Sequence, residues 1–288
     1  MVEPVEITAG PARLVLAPDM GGGIARLDVN DCPVLRPFAG DEANPFSLAC
    51  NILVPFSNRI SQGGFEWRGK RYALEPNLEG EPFPIHGDGF QKVWQAERCD
   101  ASVRLALVEG TFGPWRYGAS QTFRLSETAL KVALSVTNKG STALPFGCGF
   151  HPWFPRSHAT RLSFMAGSVW MEDAQYLPIE EQQLVDAPDW DFTNSRKLPS
   201  SWINNGYAGW LGEARIDQGQ DAVSCVIKAS ENLGTALIYS PEGSANFFCF
   251  EPVSHPVDAF HLPEYPGLKE LAPGEQLKAS MTICWEAL

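Results

Sequence analysis

Along much of the chain, apolar and polar residues alternate with a period of two. Leu130, Val132, Leu134 and Val136 alternate with Lys131, Ala133, Ser135 and Thr137, and the run stops at Asn138-Lys139-Gly140. Successive strand side chains point to opposite faces, so this is the signature of a half-buried strand ending in a turn. Similar runs occur at Leu14/Leu16, Val103/Leu105/Leu107, Val223/Cys225/Ile227 and Met281/Ile283/Trp285. A further strand is expected at Phe65-Glu66-Trp67-Arg68. No long segment follows a 3.6-residue period, and 26 glycines and 23 prolines interrupt the chain at short intervals. Many short strands without helical crossovers predict an all-β protein, a large antiparallel β-sandwich. The stretch from Glu172 to Trp202 is polar and poorly patterned, and reads as a long loop with a turn of helix.

Composition narrows the picture. The 288 residues are 44 % hydrophobic and 19 % charged, enough to bury a large core. No internal repeat or linker divides the chain, so residues 1–288 are expected to form a single domain. The net charge of −12, with no basic run, disfavours nucleic acid and anionic membrane surfaces as partners. Seven cysteines, an odd number without CxxC spacing, fit buried free thiols in a reducing compartment. The acidic N-terminus lacks the pattern of a signal peptide, and no apolar run reaches membrane-spanning length, so a cytoplasmic location is expected.

Polar residues that look out of place fall in four clusters: Asn51 to Ile60, Pro84 to Phe90, Phe146 to Phe154 and Asn246 to His255. His86 precedes Gly87-Asp88-Gly89, where small residues permit close backbone approach. His151 follows Phe146-Gly-Cys-Gly-Phe150 and precedes Pro152-Trp153-Phe154. Glu251 ends the apolar run Phe247–Phe250, where desolvation would raise its pKa and suit it to take and return a proton. Each residue also has a structural reading: a buried histidine is often a satisfied core residue, and Arg59 would serve equally as an ion-pair partner. His158, His255 and His261 lie in polar or proline-rich stretches and are expected in surface loops. The spacing of His86, His151 and Glu251 matches no HxH or HExxH pattern, so no metal is expected.

The order and surroundings of these clusters resemble the aldose 1-epimerase (galactose mutarotase) family over nearly the whole chain. Ala17 to Leu27 resembles the family's early glycine-rich strand pair, and Phe56-Ser57-Asn58-Arg59-Ile60 its Asn-Arg-Ile signature. Ile85-His86-Gly87 resembles its His-Gly motif, and Phe150-His151-Pro152-Trp153-Phe154 stands at its second histidine. Phe250-Glu251-Pro252 resembles the motif of the catalytic glutamate. The resemblance implies a galactose mutarotase-like supersandwich and an isomerase of carbohydrate metabolism that needs no cofactor. In that reading Glu251 is the base at the anomeric hydroxyl O1 and His151 the acid at the ring oxygen O5, the two flanking the sugar on opposite sides. His86 would hold or polarise a nearby oxygen, and Asn58, Arg59 and Asn204 would bind hydroxyls. Trp153 or Phe154 would offer an apolar platform. Asn204 departs from the family, which usually carries aspartate there. The substrate would be a small aldose, free or phosphorylated, and the protein a monomer or homodimer. Competing expectations are a hexose 6-phosphate mutarotase, with Arg59, Arg71 and Lys92 as candidate cations, a non-catalytic carbohydrate-binding protein, and a polysaccharide-processing enzyme with an open groove.

Overall fold

The computed structural model describes residues 3–38, 40, 44–99 and 102–286. Two large antiparallel sheets dominate them. The first, of eleven strands, runs through Val5–Ala9, Ala12–Ala17, Gly23–Val29, Cys50–Leu53, Gly149–Pro155, Phe247–Val253, Thr235–Ser240, Ile203–Ala208, Ser168–Glu172 and Pro178–Gln183, with Cys32–Pro33 beside Gly23–Val29. The second, of eight, runs through Arg161–Phe164, Glu213–Asp217, Cys225–Ala229, Gln276–Trp285, Ala129–Asn138, Trp115–Leu125, Ser102–Phe112 and Gln95–Cys99.

The alternation seen in the sequence becomes the core. Val103, Leu105 and Leu107 join Leu130, Val132, Leu134, Val136, Met281, Ile283 and Trp285 in one buried apolar cluster with residues of the first sheet. Burial of a large aliphatic side chain stabilises by roughly 1.5–3 kcal/mol, so this face holds the second sheet in register. The central strands of the first sheet behave differently. Gly149–Phe154 and Phe248–Val253 are buried on both faces, so alternation disappears there and the sequence reads as continuous apolar runs carrying His151 and Glu251.

The Glu172–Trp202 stretch is not the loop expected from its patterning. It contains the strand Pro178–Gln183, paired with Ser168–Glu172, and a 3₁₀ turn at Pro188–Trp190. The strand lies at the sheet edge with Glu180 and Glu181 exposed, so no buried face imposes a period of two. The seven cysteines are free; four are buried, whereas Cys284 is only half-buried.

Glycine geometry fixes the loop that carries His86. Gly87 has φ +66°, and a Cβ there would stand 2.1 Å from the Val54 carbonyl oxygen. Gly69 also has positive φ, +74°, but nothing lies within 4 Å of its would-be Cβ. Substitution at Gly69 therefore meets backbone strain alone, and at Gly87 strain plus a clash with backbone. Gly69→Ala is expected to lower unfolding free energy by about 1 kcal/mol and Gly87→Ala by more than about 3 kcal/mol, measured by urea denaturation. Equal losses would contradict this account.

Candidate active site

Strand register brings the chemistry together. Gly149 opposes Val253 and Trp153 opposes Cys249, which sets His151 and Glu251 side by side. Asn51 pairs with His151 and Leu237 with Glu251. In the adjacent row, Trp153 and Cys249 are followed by Tyr239 and then Asn204 across the next two strands. Alternate residues share a face, so both rows form one floor. Above it lies a pocket of about 340 Å³, within the range of small-molecule sites. His86, His151, Glu251, Asn58, Arg59, Asn204 and Trp153, the residues singled out from the sequence, all line it.

His151 Nε2 and Glu251 Oε1 are 3.3 Å apart, and both side chains are at least 93 % buried. This corrects the expectation that acid and base flank the sugar on opposite sides. O1 and O5 are both bonded to C1, so two adjacent groups reach both oxygens. Burial raises the Glu251 carboxyl to about 8, partly offset by Arg59, and lowers His151 to about 3. Both shifts run toward the neutral forms, a protonated carboxyl beside a neutral imidazole. Among the described residues, His151 Nδ1 and Glu251 Oε2 are buried polar atoms without a hydrogen-bond partner. Such atoms are uncommon in folded proteins and mark places where an outside polar group is received.

His86 belongs to an interlocked loop pair. Its backbone N–H donates to the Asn58 carbonyl, and the Asn58 N–H donates to His86 Nδ1, each at 3.0 Å. Both residues have positive φ, 61° for His86 and 54° for Asn58. Because Nδ1 accepts, the proton of the neutral ring sits on Nε2. Burial, with His151 and Arg59 nearby, pushes the His86 pKa well down and keeps the ring neutral. His86 is thus a hydrogen-bond donor and not a base. The Asp88 carboxylate anchors the loop by accepting from the Tyr117 hydroxyl.

Arg59 meets its structural reading as well as the pocket. Its Nε and Nη2 donate to both oxygens of Glu81 at 3.0 and 2.9 Å, and Tyr176 covers the guanidinium at 5.1 Å. Trp153 presents little open ring, since it stacks on His151 at 4.8 Å and carries Arg36 at 4.1 Å. Phe154 is fully buried against Phe248 in the core, so the platform role does not fall to it. Two of the histidines expected to be surface or loop residues are not exposed, although His255 does lie in a loop. His255 is fully buried: Nδ1–H donates to the Pro256 carbonyl, and Nε2 accepts from the Ser57 N–H at 3.0 Å, bracing the Asn58–Arg59 loop. His261 is part-buried and bonded to Asp258, which in turn accepts from the Ser61 N–H and hydroxyl. His158 is exposed as expected.

Sequence reasoning missed Phe46, Leu78, Glu81, Tyr176, Trp202 and Tyr239, which complete the wall. Tyr239 and Trp202 follow the same two-residue spacing as their strand neighbours, a signal visible only once register is known. Glu81 and Tyr176 sit in loops and carry no signal. Among the described residues, one trio offers converging metal ligands: His151, Cys249 and Glu251, with ligand atoms within 4.8 Å of one another. Burial pushes the Cys249 thiol well above its ordinary pKa, which makes it a poor ligand. No helix among the described residues is long and apolar enough to cross a membrane.

Comparison with known proteins bears on the fold and the family. The chain is 37 % identical over 272 residues to the uncharacterized protein YphB of Escherichia coli K12, covering 92 % of this chain and 93 % of that one. It superposes on a crystal structure from Escherichia coli K12, provisionally described as an aldose 1-epimerase, with TM-score 0.93, 36 % identity and 99 % of each chain covered. A galactose mutarotase-like protein from Clostridium acetobutylicum shares the fold at TM-score 0.87 and 20 % identity, covering 99 % of this chain and 95 % of that one. The aldose 1-epimerase family model matches residues 3–284, and this chain, with the sheet architecture and pocket described above, belongs to that family.

Proposed function

We propose that the protein is a mutarotase, interconverting the α and β anomers of a free aldose, with Glu251 and His151 as its acid–base pair. The observation that carries the reading is the pair itself: a carboxyl and an imidazole 3.3 Å apart, both buried, with burial shifting each toward its neutral form. In ring opening, Glu251 takes the proton of O1, His151 gives one to O5, and the C1–O5 bond breaks to leave the aldehyde. Rotation about C1–C2 presents the other carbonyl face. Closure then reverses the transfers: His151 recovers the proton from O5 and Glu251 returns one to O1. The net charge of the pair is the same before and after, while burial places the ionised form, Glu251 carboxylate with protonated His151, above the neutral one. Ring opening starts from the ionised form, Glu251 carboxylate with protonated His151, which the neutral pair reaches by passing its proton across the 3.3 Å contact. His86 Nε2–H donates to a sugar oxygen, while Arg59, Asn58 and Asn204 hold hydroxyls.

Glu251→Gln keeps the shape but cannot carry a proton between oxygens, and is expected to lower the anomer exchange rate at least about 100-fold, followed by NMR. Wild-type exchange by this variant would remove the assignment. The same variant carries a stability signature. The folded Glu251 pKa lies above the unfolded value of 4.5, so its contribution is fully present below pH 4.5 and lost as pH rises to about 8. Glu251→Gln should therefore melt progressively higher than wild type between pH 5 and 8, reaching a gain of about 3 kcal/mol.

A pair with no proton has nothing to give the ring oxygen. After subtraction of the buffer rate, wild-type kcat/KM is expected to be level from pH 5 to 7 and to fall above pH 8 as the last proton leaves. A rate still climbing at pH 9 contradicts the shared-proton account.

Electrostatics favours a free sugar over a phosphate. Among the described residues lining the pocket, Arg59 is the sole Lys or Arg, and Glu81 already neutralises it through two hydrogen bonds. Lys92 pairs with Asp88, and Arg71 donates to the Gln62 carbonyl; neither lines the pocket. Glucose or galactose should be turned over with kcat/KM at least about tenfold above glucose 6-phosphate, in parallel anomer-exchange assays. The reverse order would transfer the proposal to the phosphosugar reading.

A further inference from the structure

Glu172 does not line the pocket, yet it is bonded to two residues that do. Trp202 Nε1 donates to its Oε1, and Asn204 Nδ2 donates to its Oε2, each at 2.6 Å. Ser168 opposes Ala208 and Trp170 opposes Gly206, and the same register continued places Glu172 beside Asn204. It thus extends the row formed by Trp153, Cys249, Tyr239 and Asn204.

A carboxylate only accepts hydrogen bonds, so it decides which end of a neighbouring amide turns toward it. An unrestrained asparagine offers a sugar either its NH₂ or its carbonyl oxygen. Beside Glu172 one N–H of the NH₂ is committed and the amide is held in one orientation, which leaves Oδ1 on the side away from the carboxylate. The bond is also charge-assisted, and polarisation through the amide makes Oδ1 a better acceptor than that of an ordinary asparagine. The negative charge expected at position 204 from family resemblance is thereby moved one strand outward, behind a neutral amide.

We propose that Glu172 is a positioning residue that orients Asn204 so that its Oδ1 accepts from one sugar hydroxyl, making the site selective for aldoses that present a donor there. The inference rests on the mutarotase reading only for its assay, since the same contact governs sugar binding.

The test uses Glu172→Gln, Asn204→Asp and the double variant, with an aldose and its series of monodeoxy analogues. Glu172→Gln frees the amide to turn, and KM is expected to rise about tenfold with kcat within about twofold, the size of one lost hydrogen bond. For one deoxy analogue, the one lacking the donating hydroxyl, that penalty should vanish. Asn204→Asp sets two carboxylates against each other and should weaken binding. In the double variant the introduced carboxamide donates to the introduced carboxylate, and KM should return to within about threefold of wild type. A penalty equal for every analogue, a loss confined to kcat, or a double variant no better than the singles would overturn the proposal. Dissociation constants for the same sugars, measured by calorimetry, run alongside. If wild type fails to accelerate anomer exchange, the mutarotase reading falls, and these constants still decide the role of Glu172 by the same criteria.

Discussion

Pairing of Gly149–Pro155 with Phe247–Val253 is the constraint on which the molecule turns. The two strands lie at the centre of an eleven-stranded sheet, buried on both faces. A slip of one residue would move His151 or Glu251 to the opposite face, among Phe150, Phe154, Phe248 and Phe250. Those phenylalanines specify the register: they fill the core between the sheets and can do so in only one alignment. Packing on one face therefore sets the geometry of the His151–Glu251 pair on the other.

Burial gives that pair its character. Water would hold a carboxylate and an imidazole near their ordinary pKa values, with the proton on the imidazole. Removal of water disfavours the separated charges, and the proton moves to Glu251. The surrounding loops are held by groups that do no chemistry. His255 braces Ser57, Asp258 braces Ser61, and Asp88 braces the His86 loop through Tyr117. Buried polar groups that are fully bonded in this way give rigidity, and those left unbonded in the pocket give reactivity.

The sequence was most legible where one face of a strand meets core and the other meets solvent. Leu130–Val136 and Met281–Trp285 announced themselves by alternation alone. Legibility failed in opposite ways at the two extremes of burial. The edge strand Pro178–Gln183 has too few buried residues to show a period, and the central strands have too many. In the central strands, the anomaly of a lone ionisable residue in an apolar run replaced periodicity as the signal, and it located His151 and Glu251. His255 shows the limit of composition: its proline-rich setting resembles a surface loop, but one ring nitrogen donates to the adjacent Pro256 carbonyl and the other accepts from the Ser57 N–H, distant in sequence. Glu81 and Tyr176 reach the pocket through loop geometry that no local pattern encodes.

The sheet's order separates two kinds of residue by position. His151 and Glu251 occupy its middle, buried beneath the pocket, where a change of side-chain shape or volume disturbs the packed strands. Asn204, Glu172 and the hairpin bearing Tyr176 occupy its outer strands, where replacements meet solvent on at least one side. Under the proposed mutarotase reading, mutations that alter which sugar is recognised fall where the fold tolerates changes of shape, and those that alter the chemistry fall where only a side chain of the same shape fits. Such an architecture is evolvable in one direction: a lineage can change its diet of sugars by rebuilding one margin of the sheet while inheriting the reaction intact.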